Sequence, residues 1–175
     1  TGLFLKLQTN LQLLVDYAEV TCLPKDYHPD PDPVPPPGNL LHNAGFELDD
    51  EAWYLYGRTT IETGRAHSGK RSLLFLESSP CRISSTWHPV AIGRRYRLSC
   101  WVHCDSPGAS LRLAITSGTL QSRMRIGHRM SERVALEGTG WQRVSFETEI
   151  PPSASERRFF AEISPLSTEQ PALRI

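Results

Sequence analysis

The chain has 175 residues, of which 39% are hydrophobic and 22% are charged, a composition typical of a globular domain with one hydrophobic core. Its 19 Lys and Arg residues balance its 19 Asp and Glu residues, so we expect neither nucleic acid nor a membrane as a partner. No apolar run approaches the roughly 20 residues that span a bilayer. The first residues do not resemble a signal peptide, so any export signal would lie outside this sequence.

The first 23 residues predict a pair of short strands, Leu3–Leu7 and Leu13–Val20. From Pro24 to Pro37, seven of 14 residues are proline. Proline lacks a backbone donor and fixes φ, so this segment is predicted to be an extended spacer rather than a helix or a paired strand. The predicted divisions are residues 1–23, a proline-rich linker over 24–38 and a main body over 39–175.

The main body places apolar residues at every second position, the pattern of strands with one buried face. The clearest run is Arg94–Cys104, and turn signals rich in Gly and Pro separate such runs. The stretch Arg123–Leu136 could hold a helical turn, but Gly127 and two β-branched residues disfavour it, so the stretch is interpreted as a strand, a loop and a second strand. Many short strands without a long helix indicate an all-β sandwich or barrel. Further strands are predicted at Ser110–Ile115, Trp141–Ile150, Phe160–Ile163 and Leu173–Ile175.

The four cysteines, Cys22, Cys81, Cys100 and Cys104, form no C-x-x-C pair. Cys100 and Cys104 lie on one face of a predicted strand but about 13 Å apart, too far for a disulfide. Buried free thiols are the favoured interpretation. A zinc site and one disulfide involving Cys81 are the alternatives.

Five segments of the main body form an ordered set of motifs. They are Asn39–Glu47 (N-L-x-x-N-x-G-F-E), Trp53, Ala66–Leu73 (A-H-S-G-x-x-S-L), Gly93–Trp101 (G-x-x-Y-x-L-S-x-W) and Gly140–Phe146 (G-W-x-x-V-S-F). This set resembles carbohydrate-binding modules of the family 4/9 and family 22 type, over residues 39–175.

The resemblance implies a jelly-roll β-sandwich, galactose-binding-domain-like, that binds a poly- or oligosaccharide without catalysis. Modules of this type are attached to secreted glycoside hydrolases, some in tandem, which implies a secreted or cell-surface protein with a neighbouring catalytic domain. The sequence agrees with a non-catalytic role, because it has no evident facing pair of acids and no H-E-x-x-H or G-x-S-x-G motif. The alternative is an architectural or protein-interaction β-sandwich without a sugar ligand, because one fold serves many functions.

The family ends with a strand that resembles I-D-x-x-x-L, and the only segment here that looks like it is Leu13–Val20, with Asp16. One interpretation is that residues 1–23 are the tail of a preceding copy in a tandem array. The favoured interpretation is that they complete the sheet, within the chain or in a strand-swapped dimer, because an unpaired sheet edge invites completion.

The resemblance also implies a structural calcium ion. Its ligands would be the carboxylate of Glu47, backbone oxygens of Ser68 and Lys70, and Asp16 if the N-terminal strand completes the sheet. Calcium takes about six to eight hard oxygens, which carboxylates and loop carbonyls supply. The alternative is that Glu47 simply hydrogen-bonds its own turn.

Tryptophans offer the aromatic faces that a sugar site needs, beside polar groups for the hydroxyls. Trp53 and Trp141 are predicted to belong to the core, whereas Trp101 and His103 lie on the strand face opposite Tyr96. The alternative is that Trp101 packs under a loop and that nearby arginines are solvated. The predicted sugar groove combines Trp87, Trp101, His103, Gln121, Arg123 and Arg125.

Overall fold

The computed structural model describes residues 13–23, 38–76, 81–89, 93–105, 108–121, 124–151 and 158–166. These ranges form β-strands and no helix, and so contain none long and apolar enough to cross a membrane. The strands are β1 Leu13–Cys22, β2 Trp53–Tyr56, β3 Thr59–Thr63, β4 Arg71–Phe75, β5 Arg82–Ser85, β6 His88–Pro89, β7 Arg95–Cys104, β8 Ser110–Gln121, β9 Met124–Ala135, β10 Gly140–Glu149 and β11 Arg158–Leu166.

The strands form two sheets around one hydrophobic core. The five-stranded sheet has the order β10-β7-β1-β4-β3, and the six-stranded sheet contains β2-β5-β11-β8-β9 with β6 beside β11. Every pairing is antiparallel. Two antiparallel sheets packed face to face are a β-sandwich, which confirms the all-β, jelly-roll prediction.

Strand β7 shows how the alternating pattern produces an inner and an outer face. Tyr96, Leu98 and Val102 are at most 2% exposed and belong to the core. Trp101 and His103 alternate with them and are half-buried on the other side of the sheet. Because successive side chains of a strand point to opposite faces, the positions of the core residues determine which side chains lie on the outer face.

Strand β1 lies in the interior of the five-stranded sheet, between β7 and β4. Leu13 and Val20 are fully buried in the core. The register with β7 shifts between Asp16 and Glu19, where Tyr17 has a φ of 48°. A bulge of this kind re-aims the side chains beside it, here those of Asp16 and its neighbours.

Asn39, the first residue of the N-L-x-x-N-x-G-F-E motif, joins β1 to the main body. Its Oδ1 accepts hydrogen bonds from the backbone N–H groups of Val20 and Leu41, both at 3.0 Å. Its Nδ2 donates to the carbonyl of Ala18 at 3.1 Å. The side chain of this asparagine therefore binds backbone groups of β1 and anchors the start of the main body to that strand.

The structure changes the interpretation of one stretch and decides between the alternatives for the cysteines. The stretch read as two strands and a loop is one 12-residue strand, β9, in which Gly127 pairs with Gly118 of β8. All four cysteines are free thiols, so the alternative disulfide at Cys81 is wrong. The favoured interpretation of buried free thiols is confirmed for Cys81, Cys100 and Cys104, whereas Cys22 is half-buried. Burial raises the pKa of the Cys100 thiol to about 12.

Several predictions fall on other parts of the chain. The strands Leu3–Leu7 and Leu173–Ile175 and the proline-rich segment 24–37 lie outside the described residues. The division into residues 1–23, 24–38 and 39–175 stays a prediction.

Candidate functional site

The outer face of the six-stranded sheet holds a groove of about 500 Å³. Strands β2, β5, β11, β8 and β9 all contribute to it. We call it the six-strand groove, and it is lined by Tyr56, Cys81, Arg82, Arg112, Arg129, Glu162, Ser164, Pro165 and Leu166.

The register of the sheet explains why Glu162 is central in the six-strand groove. Glu162 of β11 pairs with Ser84 of β5 on one side and with Ala114 of β8 on the other. Ser84 in turn pairs with Tyr54 of β2. Directly opposed residues share a face of the sheet, so the small residues on either side of Glu162 leave space above its carboxylate.

Glu162 is only 2% exposed, and arginines surround its carboxylate. Arg129 donates from Nη2 to Oε1, and Arg82 Nη1 lies 3.8 Å from Oε2. A buried charge is costly unless it is paired and hydrogen-bonded. The groove therefore has a fixed array of one carboxylate and two guanidinium groups, whose donors and acceptors suit hydroxyl groups.

Two tyrosines of β2 stand beside this polar array. Tyr54 and Tyr56 occupy alternate positions of the strand and are 53% and 37% exposed. The Arg82 guanidinium lies 4.4 Å from the centre of the Tyr56 ring, a cation–π contact that orients both groups. Exposed aromatic rings next to fixed polar groups are what a saccharide site requires.

The outer face of the five-stranded sheet carries an aromatic cluster of His67, Trp101, His103 and Trp141. The His67 ring stacks on Trp101, with centroids 3.8 Å apart and planes 11° from parallel. Both His67 and His103 meet the edge of Trp141, with centroids 5.7 and 5.3 Å away. Trp101 thus packs under the loop that carries His67, as the alternative interpretation of this residue expected.

Trp53 and Trp141, both predicted to be core residues, differ in their surroundings. Trp53 is 4% exposed, packs against Phe46 and donates from Nε1 to the carbonyl of Asn43 at 3.0 Å. Trp141 lies opposite His103 on the outer face and is half-buried there. The core prediction is therefore right for Trp53 and wrong for Trp141.

The residues of the predicted sugar groove do not share one face. Trp101 and His103 belong to β7 of the five-stranded sheet, whereas Trp87 lies between β5 and β6 of the six-stranded sheet. Gln121 and Arg125 lie on β8 and β9, where the structure describes the backbone, and Arg123 lies outside the described residues. Their binding role stays a prediction.

Sequence reasoning missed the tyrosines and Glu162. Tyr54 and Tyr56 carried a usable signal, because they alternate with the buried Trp53 in a four-residue strand. Glu162 carried another, since a single acid stands in the apolar run Phe159-Phe160-Ala161-Glu162-Ile163. A lone acid in a buried strand indicates a paired or functional charge.

The loop that joins β3 to β4, residues 64–70, is held by carboxylates from two other segments. The backbone N–H of Ser68 donates to Asp16 Oδ2 at 2.7 Å. The N–H groups of Lys70 and Arg71 donate to Glu47 Oε1 at 2.8 and 3.0 Å. Among the residues of the predicted calcium site, the structure thus pairs Asp16 with Ser68 and Glu47 with Lys70, in both cases through an N–H rather than a carbonyl group.

The oxygen atoms near this loop differ in how far they are already hydrogen-bonded. Asp16 Oδ1 is buried and has no hydrogen-bond partner in the structure, so it is an oxygen available to a cation. Burial raises the pKa of Asp16, although its backbone hydrogen bonds oppose that shift. Hydrogen bonds from Lys70 and Arg71 lower the pKa of Glu47. Asp16 Oδ1 is thus one oxygen that a calcium ion could use, whereas the loop directs N–H groups at both carboxylates. In the described part of the chain no group of three His, Cys, Asp or Glu side chains gathers, and the calcium site stays a prediction.

Comparison with known sequences gives one family. Residues 38–168 match the profile of a family described as a carbohydrate binding domain, of the 4/9 type. Among proteins of curated function, none matches this sequence.

Two solved structures with a similar fold contain a carbohydrate-binding module. One, from Clostridium thermocellum, is the N-terminal endo-1,4-β-D-xylanase 10B with its CBM22-1 and GH10 modules, complexed with xylohexaose. It is 17% identical with a TM-score of 0.50, and the match covers 70% of this chain and 25% of that one. A second, a family 16 carbohydrate-binding module, is 13% identical with a TM-score of 0.53, and the match covers 73% of this chain and 95% of that one. At these identities the likeness shows a shared fold.

Proposed function

Because this chain belongs to the carbohydrate-binding domain family, a non-catalytic domain type, we propose that it binds a poly- or oligosaccharide in the six-strand groove. The observation that carries the proposal is Glu162, a carboxylate 2% exposed on the groove floor that is held by Arg82 and Arg129. Polar groups fixed in this way are ready to meet a ligand without losing further side-chain entropy.

Binding would combine stacking with hydrogen bonds. The exposed ring of Tyr54 offers an apolar surface for the C–H face of a sugar ring, while guanidinium N–H groups donate to hydroxyl oxygens and the carboxylate accepts from hydroxyl protons. Because Arg129 already donates to Glu162 Oε1, a sugar hydroxyl must compete with that hydrogen bond. Weak to moderate affinity for a single sugar is therefore expected, with longer chains bound more tightly along the groove.

The test compares two outer faces by affinity electrophoresis in gels that contain soluble polysaccharides. Tyr54→Ala removes an exposed ring beside the six-strand groove, and Trp101→Ala removes the centre of the aromatic cluster on the other sheet. We expect Tyr54→Ala to weaken retention roughly tenfold, since a stacked aromatic ring contributes about 1 kcal/mol or more. Trp101→Ala should leave retention unchanged at temperatures where the variant is folded.

The other outcomes are informative. Loss of retention in Trp101→Ala alone would move the site to the five-stranded sheet and restore the sequence-based prediction for Trp101 and His103. Absence of retention on every polysaccharide would overturn sugar binding and favour the architectural or protein-interaction alternative.

We also propose that Asp16 and Glu47 hold a structural calcium ion, with carbonyl oxygens of the Ser68–Lys70 segment as further ligands. The unpartnered buried oxygen of Asp16 supports this proposal. The ion would tie β1 to the loop 64–70, and it would act on stability, not on the sugar, because these carboxylates belong to the five-stranded sheet and its connecting loops.

Finally, we infer that the chain works as one module of a larger secreted or cell-surface protein that acts on polysaccharides. The like-folded xylanase structure, in which such a module accompanies a GH10 module, supports this inference. A module that holds a polymer raises the local substrate concentration for a neighbouring catalytic domain. Removal of the module from the full protein should then slow turnover of insoluble polymer and leave turnover of a short soluble substrate unchanged. Strand exchange between two copies through the proline-rich linker stays a prediction.

A further inference from the structure

The six-strand groove contains more positive than negative charge. Its lining includes three arginines, Arg82, Arg112 and Arg129, and one acid, Glu162. Arg82 and Arg129 both lie against Glu162. Since one carboxylate carries one negative charge, the lining keeps an excess of two positive charges, although the chain as a whole is neutral.

Arg112 is the groove cation that Glu162 does not reach. It is half-buried, and none of the described residues forms an ion pair or a side-chain hydrogen bond with it. Its partner on β11 is Ser164, a neutral residue of the groove lining. A guanidinium in a concave, partly desolvated place gains more from a counter-charge than one in open water.

The neighbour of Arg112 on the other side is another cation. Arg133 of β9 is its direct partner in the β8–β9 register. Directly opposed residues of neighbouring strands have Cβ atoms only about 5 Å apart, so the two side chains lie next to one another. An anion held by Arg112 would therefore also lie close to Arg133.

From these three observations we propose that the natural ligand is an acidic glycan, and that Arg112, with Arg133 beside it, binds its carboxylate or sulfate group. The inference rests on the proposed function, since it names the ligand class of the same groove. A guanidinium donates two parallel N–H groups, which fit the paired oxygens of a uronate or a sulfate. Tyr54 and Tyr56, on the opposite side of Glu162, would then meet the apolar face of a neighbouring sugar ring.

The experiment measures affinity for polysaccharides that share a backbone and differ in charge. The pairs are glucuronoxylan with unsubstituted xylan, polygalacturonate with its methyl ester, and chondroitin sulfate with chemically desulfated chondroitin. A neutral β-glucan and a galactan complete the panel. The proteins are the unmodified chain, Arg112→Gln, Arg112→Lys and, as a control with the same loss of charge, Arg65→Gln on the opposite side of the sandwich. Arg65 is exposed and pairs with Asp105, so its loss should not touch the groove.

We expect the tightest ligand to be the charged member of a pair, with affinity that falls as salt is raised. Arg112→Gln should weaken that binding roughly tenfold or more, as expected for loss of a charge-assisted hydrogen bond, and Arg112→Lys should restore part of it. Binding of neutral members and the melting temperature should hardly change. Whether the uronate or the sulfate pair responds identifies the anion.

Two results would overturn the inference. If neutral glycans bind as tightly as their charged counterparts and Arg112→Gln leaves both unchanged, the acidic-ligand proposal fails while sugar binding stands. If no glycan of either kind is retained, the proposed function fails as well.

Discussion

Asp16 and Ser68, 52 residues apart in the chain, are joined by a 2.7 Å hydrogen bond in which the Ser68 backbone N–H donates to the Asp16 carboxylate. Asp16 belongs to β1, and Ser68 belongs to the loop that joins β3 to β4. The conformation of the loop therefore relies on β1, a strand that precedes the proline-rich segment in the sequence. The fold of the loop and the docking of β1 are therefore expected to be coupled.

Replacement of Asp16 should test that coupling. Asp16→Ala removes the acceptor of Ser68 and leaves a donor without a partner, which typically costs about 1–3 kcal/mol of unfolding free energy. Chemical denaturation followed by tryptophan fluorescence measures the loss. Asp16→Asn is the matched control, since it keeps an acceptor oxygen and most of the volume while removing the charge. A stability of Asp16→Ala equal to that of the unmodified chain would show that the bond does not support the fold.

Glycine at position 69 should be required for two separable reasons. Gly69 has a φ of +69°, and a Cβ atom there would lie 2.4 Å from Glu47 Oε1. Gly64, in the same loop, has a φ of +97° and nothing within 4 Å of such a Cβ. Gly64→Ala therefore reports backbone strain alone, about 1 kcal/mol. Gly69→Ala should cost more, because Glu47 must also move away from Lys70 and Arg71.

The melting temperatures of Gly64→Ala and Gly69→Ala test this prediction. Equal loss of melting temperature in Gly64→Ala and Gly69→Ala would mean that Glu47 can turn aside without cost. In that case the hydrogen bonds from Lys70 and Arg71 to Glu47 contribute little to the stability of the fold.

His88 should make the domain less stable in weak acid. Burial and repulsion from His42 lower the pKa of His88 below its ordinary value of 6.5, and its Nε2 is buried without a hydrogen-bond partner. The unfolded chain takes up a proton near pH 6.5 while the folded chain resists it, so the unfolded state binds more protons in that range. Stability is therefore fully present above about pH 6.5 and falls as the pH drops through 6.5 towards the folded-state pKa, by at most about 1.4 kcal/mol per pH unit.

Denaturation midpoints between neutral and weakly acidic pH measure this slope. His88→Phe, which keeps a ring beside Phe159, should flatten the curve in that window. His42→Gln is the control, because His42 is an exposed residue and only a minor cause of the shift. An unchanged slope in His88→Phe would assign the acid sensitivity to other groups.

The local part of the structure could be predicted from motifs. Asn39 and Glu47 stand at fixed places in the N-L-x-x-N-x-G-F-E segment, and each binds backbone groups of a distant element. Trp53 was correctly predicted to be a core residue because it also occupies a fixed place in this set of motifs. Trp141 could have been placed correctly too, because it alternates with Val144 and Phe146, which are 6% and 7% exposed and so define the inner face of β10.

The ligand site was harder to predict because it depends on strand order. Trp87 and Trp101 are only 14 positions apart in the sequence. Nevertheless β5 and β6, which flank Trp87, belong to the six-stranded sheet, whereas β7, which contains Trp101, belongs to the five-stranded sheet. Conversely, Tyr54 and Glu162 are far apart in sequence and are brought to one face because β5 lies between β2 and β11. Alternation tells which side chains share a face of one strand, but it does not tell which strands lie side by side.

Removal of calcium tests whether Asp16 and Glu47 together hold a calcium ion. If these carboxylates hold a calcium ion, treatment with a chelator should lower the melting temperature, and added calcium should restore it. Binding to the folded state alone stabilises by about 2.7 kcal/mol at a free calcium concentration 100 times the dissociation constant. Glu47→Gln should be less stable than the unmodified chain in calcium and should not respond to the chelator. Magnesium is the control ion, since it prefers a smaller octahedral site. A melting temperature that neither chelator nor calcium changes would mean that Glu47 serves only to hold the N–H groups of Lys70 and Arg71, and that the buried oxygen of Asp16 stays without a cation.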